Sequence, residues 1–406
     1  MRILITGVST RAIAESASAA GYSFITLDYF GDYDQKRWCE NYSLKRDFGL
    51  AFGPAELYKA SRSLSFDAVV YTANLENYPE VVAKLAAGGR EGMGGRLLGN
   101  IPAVLTRVRH WPTIFDFLRR QGIPTPETIY PGQQPSPLAR CSGRGAGGEG
   151  RWLRKPIRSG GGHHIGFWPP DRPPGEGFFL QEYIPGTACS ASFVANGRGC
   201  VVLGLTEQLI GRAEFGARGF HYCGNILPLT PGPSPRVGEG GREGLLFQVR
   251  QIVDSLTQEF GLVGVNGLDF VLNNGQAVPV EVNPRYSASM ELIERAYGLS
   301  IFDLHVRAIT RGELPEFDPA LSSPIRGEGP ASQHFYGKAI LYAERDGRAP
   351  DTQDWPERGI RDVPFPDERL TQGGPICTVL ANGPTRDACL AGLVAQAEAL
   401  KGEIYA

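Results

Sequence analysis

The sequence contains no long hydrophobic run and no regular spacing of cysteines. No apolar stretch approaches the roughly 18 residues that a membrane-spanning helix needs, and the apolar start at residues 2–6 is too short for a signal peptide. The seven cysteines are scattered, odd in number and never spaced C-x-x-C, which argues against a disulfide framework and a zinc site. We therefore expect a cytoplasmic protein without a membrane partner.

An excess of one charge is also missing. The 41 Lys and Arg residues nearly balance the 43 Asp and Glu residues, which gives a formal net charge of −2. No basic block stands out, so we expect no nucleic-acid partner. The 406 residues exceed one ordinary domain, and 42% hydrophobic with 21% charged residues is typical of globular proteins. The composition therefore indicates two or three packed globular domains.

Two common nucleotide-binding fingerprints, G-x-G-x-x-G after the first strand and the Walker P-loop, are absent. The N-terminal order of elements predicts a parallel Rossmann-like sheet, with strands at 2–6, 23–28 and 66–71 and a helix at 11–20. Its first turn begins at Gly7, and Asp28 ends the second strand. We predict a scaffold domain here, and a dinucleotide site is the alternative.

Four stretches are rich in Gly, Pro, Ser and Arg, at 86–96, 131–150, 229–244 and 319–331. Two of them share the string Gly-Gly-Arg-Glu-Gly, and three share Ser-Pro followed by Gly-Glu-Gly. Such segments cannot build a packed core, because glycine costs backbone entropy and the apolar content is low. We predict surface-loop insertions of similar origin, with a functional lid as the alternative.

The segment 267–285 predicts a β-hairpin, because its Asn-Gly pair is the strongest short hairpin signal. Alternation places Glu281 and Asn283 on one face of the second strand. A two-residue loop would pair Asp269 with Val280 and leave Asp269 and Glu281 on opposite faces. Pairing the two carboxylates requires a three-residue loop or a β-bulge.

Asp269, Glu281 and Asn283 would together present two carboxylates and an amide oxygen. These hard oxygen ligands suit Mg²⁺, which keeps waters or phosphate oxygens as its remaining ligands. Arg285 follows on the same face and could neutralise a phosphate or an acyl oxyanion. The alternative is a solvated polar face with a salt bridge.

Lys155 ends a predicted strand over 152–155 and precedes a glycine-rich loop that contains Gly160, Gly161 and Gly162. The lysine supplies a point charge for phosphate, and successive glycines let backbone N–H groups approach phosphate oxygens closely. A flexible turn is the alternative. We predict loop or ribose contacts for His163 and His164, with catalysis as the alternative.

A hydrophobic strand over 178–184 ends in polar residues before Pro185-Gly186. Its last residues, which include Gln181, Glu182 and Ile184, could present backbone groups to the edge of an adenine. Further upstream, a helix over 111–121 closes with Gly122-Ile-Pro-Thr-Pro126.

Taken in this order, these motifs resemble the ATP-grasp superfamily, and within it the group of predicted ATP-dependent carboligases, which are similar to carboxylate–amine ligases. The resemblance extends from about residue 100 to 310, and the D-x₁₁-E-x-N-x-R hairpin is its specific part. It implies an α/β and α+β protein with a Rossmann-like pre-ATP-grasp domain at 1–100 and an ATP-grasp domain of two subdomains at 101–315. A small β-rich α+β appendage would follow at 332–406.

The resemblance also implies roles for single residues. Lys155 would contact the α- and β-phosphates of ATP, and the glycine loop would close over the triphosphate. Gln181, Glu182 and Ile184 would surround the adenine, while Asp269, Glu281 and Asn283 would hold one or two Mg²⁺, with Mn²⁺ as a substitute. Arg285 would face an acyl phosphate as the catalytic cation. Arg109 occupies the place where the family commonly has a phosphate-binding lysine.

The implied reaction converts a small-molecule carboxylate into an acyl phosphate and couples it to an amine, forming a C–N bond. The resemblance further suggests a homodimer and a role in coenzyme biosynthesis. A nucleotide-binding regulator and a phosphotransferase of the same superfamily are the alternatives.

Overall fold

The computed structural model describes residues 1–88, 96–132, 151–158, 160–169, 174–229, 241–320 and 334–406, with only the backbone at 241–243. Most of the four Gly/Pro-rich stretches, including those predicted at 131–150 and 229–244, lie outside these residues. Their role as surface loops therefore stays a prediction. Within the described residues, no helix is long and apolar enough to cross a membrane.

The N-terminal part is a parallel sheet with helices packed against it, as the strand–helix–strand pattern predicts. Its elements are β1 (Ile3–Thr6), α1 (Arg11–Ala19), β2 (Phe24–Asp28), β3 (Glu40–Ser43), α2 (Pro54–Ser61), β4 (Ala68–Tyr71), α3 (Pro79–Ala87) and β5 (Arg96–Leu97). The five strands lie in the order β3-β2-β1-β4-β5, and every neighbouring pair is parallel. Strands buried on both faces explain why residues 3–5 are uniformly apolar.

The middle of the chain forms two antiparallel sheets. Its elements are α4 (Pro102–Val108), α5 (Trp111–Arg120), β6 (Thr128–Ile129), β7 (Trp152–Pro156), β8 (Gly166–Phe167), β9 (Phe178–Glu182), β10 (Thr187–Asn196), β11 (Cys200–Ile210), β12 (Tyr222–Leu227), α6 (Gly241–Phe260), β13 (Val263–Asn273), β14 (Gln276–Asn283), α7 (Met290–Tyr297) and α8 (Ile301–Arg311). A four-stranded sheet has the order β6-β9-β7-β8. The larger sheet begins β14-β13-β10-β11-β12.

The C-terminal segment extends the larger sheet. Its elements are β15 (Phe335–Tyr342), β16 (Gly347–Arg348), β17 (Arg369–Leu370), β18 (Pro375–Gly383) and α9 (Arg386–Ile404). The predicted β-rich α+β content is present, but β15 pairs with β12 and β18 pairs with β15, so this sheet has seven strands among the described residues. The C-terminal residues are thus continuous with the middle of the chain rather than a sheet of their own.

Shared hydrophobic cores hold the three parts together. One core combines β1 and α1 with α7, α8 and the inner residues of the larger sheet, such as Val194 and Val265. Another joins β11 and β12 to the C-terminal strands and α9 around the fully buried Trp355. Burial of this kind contributes roughly 25 cal/mol per Å² of apolar surface, so the parts stabilise one another. The predicted fold class is confirmed.

Candidate active site

A cavity of about 810 Å³ lies where the four-stranded sheet faces the larger sheet, and the β1–α1 turn closes one side of it. All but one of the residues predicted for nucleotide, metal and catalysis line this cavity: Lys155, Gly160, Gly161, Gly162, Gln181, Glu182, Ile184, Asp269, Glu281, Asn283 and Arg285. The exception is Arg109. Tertiary structure therefore collects residues that are up to 130 positions apart in the sequence.

A β-bulge brings the two carboxylates together. The turn has two residues, Asn274 and Gly275, with φ angles of 47° and 81° that suit a tight hairpin. From this turn the register pairs Phe270 with Pro279, and the bulge then shifts it so that Asp269 lies opposite Glu281. Of the two arrangements that parity allowed, the structure has the bulge and not the three-residue loop.

Asp269 is held by neutral partners. Its Oδ1 accepts a hydrogen bond from Gln208 Nε2 at 3.0 Å, and its Oδ2 accepts one from Asn283 Nδ2 at 2.9 Å. Ser190 lies opposite on β10 and also hydrogen-bonds the carboxylate. Burial, and then the neighbouring charge of Glu281, raise the pKa of Asp269 to about 6. The carboxylate lacks a compensating cation of its own among the described residues.

The donor set fits a magnesium ion. Two carboxylates and the amide oxygen of Asn283, which accepts one hydrogen bond from Arg285 at 3.2 Å, are hard ligands with free lone pairs. The described residues contain no group of three or more His, Cys, Asp or Glu side chains arranged to hold a metal. A metal here would complete its shell with water or phosphate oxygens, which is the usual habit of Mg²⁺ and not of a structural zinc.

Arg285 is fixed by a carboxylate that the sequence did not single out. Its Nε donates to Glu76 Oε1 at 2.7 Å, and its Nη1 donates to the Tyr286 carbonyl at 3.0 Å. Burial works against the charge, but the charge and hydrogen bond of Glu76, together with the charges of Glu281 and Asp269, outweigh it and raise the pKa of Arg285 above its ordinary value. Arg285 is therefore a permanent cation on the cavity wall beside Asn283.

Arg109 lies behind the cavity wall rather than on it. Its Nη1 donates to Glu281 Oε1 at 2.9 Å and to the Val282 carbonyl at 2.8 Å, while its Nε donates to Asn77 Oδ1 at 2.9 Å. The guanidinium also lies over the ring of Trp111, 5.0 Å from its centroid. Arg109 therefore does not line the cavity, where the predicted phosphate contact would require it. It fixes the orientation of Glu281 from the side away from the cavity.

Lys155 is a buried cation on the opposite sheet. It is 9% exposed, and its Nζ donates to Gln181 Oε1 at 2.9 Å. No carboxylate pairs with it among the residues that the structure describes. Burial lowers the pKa of Lys155, and the more distant Glu281 and Asp269 oppose this change. A buried ammonium with an amide as its partner favours an anionic ligand nearby.

The glycine-rich loop is pinned against the segment before β12. At Gly162, with φ of 75°, an added Cβ would lie 1.8 Å from the Phe220 carbonyl oxygen, so the position requires glycine. The Gly161 carbonyl accepts a hydrogen bond from Tyr222 N at 3.0 Å. The rings of His163 and His221 lie 4.6 Å apart. Burial and the neighbouring His221 lower the pKa of His163.

The end of β9 is anchored through Glu182. The Glu182 N–H donates to the Glu127 carbonyl at 2.8 Å, and its carboxylate accepts from the Glu127 N–H at 3.0 Å. Next along the chain, the Tyr183 N–H donates to the Arg151 carbonyl at 2.8 Å. These bonds fix the backbone of the strand end along the cavity wall, where Ile184 adds an apolar contact surface.

The other candidate groups, Asp28 and the cysteines, have structural roles. Asp28 accepts hydrogen bonds from Thr10 N at 3.1 Å and Gly31 N at 2.7 Å, so the carboxylate fixes the N-terminal turns rather than facing a ribose. Burial raises the pKa of each described cysteine thiol, which disfavours thiolate chemistry. These observations agree with a scaffold role for the N-terminal sheet.

Three supporting residues escaped the sequence analysis: Gln208, Glu76 and Asn77. Gln208 offered a weak signal, since it is a polar residue near the end of the apolar strand β11. The other two lie in a three-residue 3₁₀ helix, Leu75–Asn77, which is too short to show a periodic pattern. Their partners Asp269, Arg285 and Arg109 are at least 32 positions away, so only the folded chain reveals the contacts.

Two antiparallel sheets thus face each other across the cavity, and the turn after the first strand of the parallel sheet closes one side of it. Residues 112–289 match the family model described as an ATP-grasp domain. These residues are therefore similar to ATP-grasp domains, and the predicted resemblance is confirmed.

Several named enzymes are similar to this chain. The arginine-specific large chain of carbamoyl phosphate synthase from Bacillus subtilis is 24% identical over 144 residues, which is 36% of this chain and 13% of that protein. L-amino acid ligase from Bacillus licheniformis superposes with a TM-score of 0.62 at 13% identity, covering 100% of this chain and 98% of that one. A biotin carboxylase–beta-gamma-ATP complex from Campylobacter jejuni has a TM-score of 0.67 at 12% identity, covering 99% and 91%. At these identities the two structures show a shared fold.

Proposed function

We propose that this protein is a Mg-ATP-dependent ligase that activates a carboxylate as an acyl phosphate and joins it to an amine. One observation carries the proposal: the cavity has a buried ammonium, Lys155, that no described carboxylate pairs with on one sheet, and two carboxylates, Asp269 and Glu281, on the other. A triphosphate with its magnesium ion complements both walls at once. The similarity to L-amino acid ligase and to carbamoyl phosphate synthase supports this choice of reaction.

The chain supplies positioning and charge. Lys155 would hold phosphate oxygens, and the loop at Gly160–Gly162 would place its backbone over the triphosphate. Asp269, Glu281 and Asn283 would hold magnesium, which when bound neutralises charge on the phosphates. Arg285 would stabilise the negative charge of the carboxylate and of the acyl phosphate derived from it.

In the balanced reaction, a carboxylate oxygen attacks the γ-phosphorus and ADP leaves. The amine nitrogen then attacks the acyl carbon, phosphate leaves, and the nitrogen loses one proton. The chain's task in both steps is to keep the reacting groups adjacent and water excluded, an effect worth several powers of ten in rate. Arg109 acts indirectly, as a positioning residue for Glu281.

The test uses hydroxylamine as a generic nucleophile. Purified protein with Mg-ATP and a panel of carboxylic acids should release ADP and form a hydroxamate with one acid class, which ferric ion detects. Glu281→Ala should abolish both products by removing a magnesium ligand. Glu313→Ala is the matched control, because Glu313 forms an exposed ion pair with Arg307 at 2.7 Å, far from any cavity residue in sequence.

The outcomes separate the alternatives. Release of ADP without hydroxamate would indicate phosphotransfer to another acceptor. Binding of Mg-ATP without release of ADP on any acid would favour a nucleotide-binding regulator. A protein that fails to bind Mg-ATP would refute the proposal.

A further inference from the structure

Part of the cavity is lined by residues of the N-terminal sheet and its turns, to which no role in binding ATP or magnesium is assigned. The lining residues from this side that keep some exposure are four apolar and two neutral polar ones: Val8, Ala12, Phe52 and Ala73, with Ser9 and Asn74. We call these six residues the N-terminal wall. None of them carries a charge, unlike the two walls that hold Lys155 and the hairpin carboxylates.

The N-terminal wall continues directly from Arg285. The carboxylate of Glu76, which accepts a hydrogen bond from Arg285 at 2.7 Å, lies in the 3₁₀ helix that begins right after Asn74. The Ala73 carbonyl accepts a hydrogen bond from the Val8 N–H at 2.5 Å, so the two turns of this wall are joined. A molecule whose carboxylate lies beside Arg285 therefore has the N-terminal wall next to it.

Phe52 is the most exposed member of the N-terminal wall. It is held through Tyr29, whose N–H donates to the Val8 carbonyl at 3.1 Å and whose ring lies 5.9 Å from the Phe52 ring, edge to face. Five large hydrophobic residues are exposed in the described part of the chain, and Phe52 is the one of them that lines the cavity. An apolar ligand would cover a ring that otherwise faces water.

The charged groups that line the cavity nearby are already paired with one another. Arg11 is fully buried and binds Glu291 at 3.0 Å and Asp362 through two bonds of 2.9 and 3.1 Å. Lys338 donates to the same Glu291 at 2.6 Å. Burial opposes the ionisation of Asp362, but the charges of Arg11 and Lys338 and the hydrogen bond from Arg11 outweigh it and lower its pKa. Two cations thus offset two carboxylates, and this group offers no free counter-charge to a ligand.

A charged substituent placed on the N-terminal wall would lose water without gaining a partner. Removing an unpaired ion from water is costly, whereas an apolar group is stabilised in proportion to the surface that it buries. The hydroxyl of Ser9 and the amide of Asn74 can still serve neutral polar groups. The wall therefore favours uncharged substituents over charged ones.

We propose that the carboxylic acid substrate carries an uncharged, largely apolar body that packs against the N-terminal wall, with its carboxylate beside Arg285. This assignment rests on the proposed ligase function, and it names the class of acid: a monocarboxylic acid without a second charge, and neither a dicarboxylic acid nor an amino acid. Phe52 is then a residue that determines specificity.

The experiment compares acids that share a carbon chain and differ in the charge at its far end. Three triads are used: butanoate, succinate and 4-aminobutanoate; hexanoate, adipate and 6-aminohexanoate; octanoate, suberate and 8-aminooctanoate. Ligand-observed NMR titration gives the Kd of each acid for the full-length protein, with and without the magnesium complex of the ATP analogue AMP-PNP. In at least one triad the acid with the uncharged end should bind tenfold or more tightly than both charged members.

Substitutions at Phe52 test the contact itself. Phe52→Ala should weaken binding of the favoured acid about fivefold or more, whereas Phe52→Leu stays apolar and should bind it within about twofold of wild type. Phe52→Arg places a cation on the wall and should reduce the preference over the dicarboxylate at least threefold. Phe247→Ala is the matched control, because Phe247 is 61% exposed but lies on α6 and does not line the cavity, so binding should not change.

The outcomes separate this assignment from the ligase function. Charged acids that bind as tightly as uncharged ones, unchanged binding in Phe52→Ala, or no binding of any of the acids by wild-type protein would overturn the assignment. If circular dichroism shows that Phe52→Ala is unfolded, the preference of Phe52→Arg decides instead. A preference for uncharged acids in a protein that does not bind the Mg-AMP-PNP complex, or that releases no ADP from Mg-ATP with the favoured acid and hydroxylamine, would refute the ligase function and leave the acid site standing.

Discussion

Replacing Asp269 with asparagine should change how stability depends on pH, in a way that the structure fixes in sign. Burial and the adjacent Glu281 raise the pKa of Asp269 from 3.8 to about 6 in the folded protein. The folded state thus holds this proton more tightly than the unfolded chain does. The resulting stabilisation is full below pH 3.8 and is lost as pH rises through about 6.

The difference between the two pKa values corresponds to about 3 kcal/mol. We therefore expect the free energy of unfolding of Asp269→Asn, relative to wild type, to rise by about 2.4 kcal/mol between pH 4 and pH 7, since part of the effect lies below pH 4. Asp28 and Asp34, whose pKa values burial also raises to about 6, are present in both proteins and cancel. Changed hydrogen bonds to Gln208 and Asn283 add an offset that is the same at every pH.

The assay is urea unfolding followed by tryptophan fluorescence, with EDTA present, at several pH values. A second series contains Mg-ADP, which should stabilise wild-type protein and leave Asp269→Asn unchanged. If the difference in unfolding free energy between the two proteins changes by less than about 1 kcal/mol across this pH range, the raised pKa of Asp269 is refuted. Equal stabilisation of both proteins by Mg-ADP would refute the metal assignment.

Three other substitutions test the remaining walls of the cavity. Lys155→Met should weaken Mg-ATP binding more than tenfold in calorimetry, since it removes the cation that we propose contacts phosphate; unchanged affinity would mean that Lys155 does not bind the nucleotide. Gly162→Ala should lower kcat and ATP affinity together, because its Cβ would lie 1.8 Å from the Phe220 carbonyl, and wild-type kinetics would mean that the loop does not close on nucleotide. Glu76→Gln should lower kcat tenfold or more while Kd for ATP stays constant, because it frees Arg285, and a change confined to Kd would contradict that role.

Local sequence rules predicted the elements well. The Asn-Gly pair fixed the hairpin, and glycines mark the ends of helices as expected: Gly122, with φ of 70°, follows α5, and the Ile123 N–H donates back to the Leu118 carbonyl at 3.0 Å. The pairing of Asp269 with Glu281 was beyond such rules. A bulge depends on how the neighbouring strands pack, so parity could state the two arrangements but not choose between them.

The sequence also could not predict which charged residues, far apart along the chain, lie close together in the fold. Arg109 matches a family position in sequence, yet its guanidinium bonds Glu281, 172 positions away, and lies behind the wall. The cluster of Arg11, Glu291 and Asp362 joins residues separated by 280 and 351 positions. Neither periodicity nor spacing carries information about such pairs, because they arise from the packing of separate sheets.

The partners of the charged groups explain why the cavity suits a highly charged ligand. Amide side chains hold the two charged groups that we propose contact the ligand directly. Gln181 accepts a hydrogen bond from Lys155 at 2.9 Å, and Gln208 donates one to Asp269 at 3.0 Å. An amide orients a charged group without neutralising it, so Lys155 and Asp269 each leave an uncompensated charge on their wall of the cavity. Arg285, by contrast, is paired with a carboxylate and permanently fixed. Under the proposed function, bound Mg-ATP compensates the charges on both walls. The protein without ligand is therefore less stable, because these charges stay uncompensated.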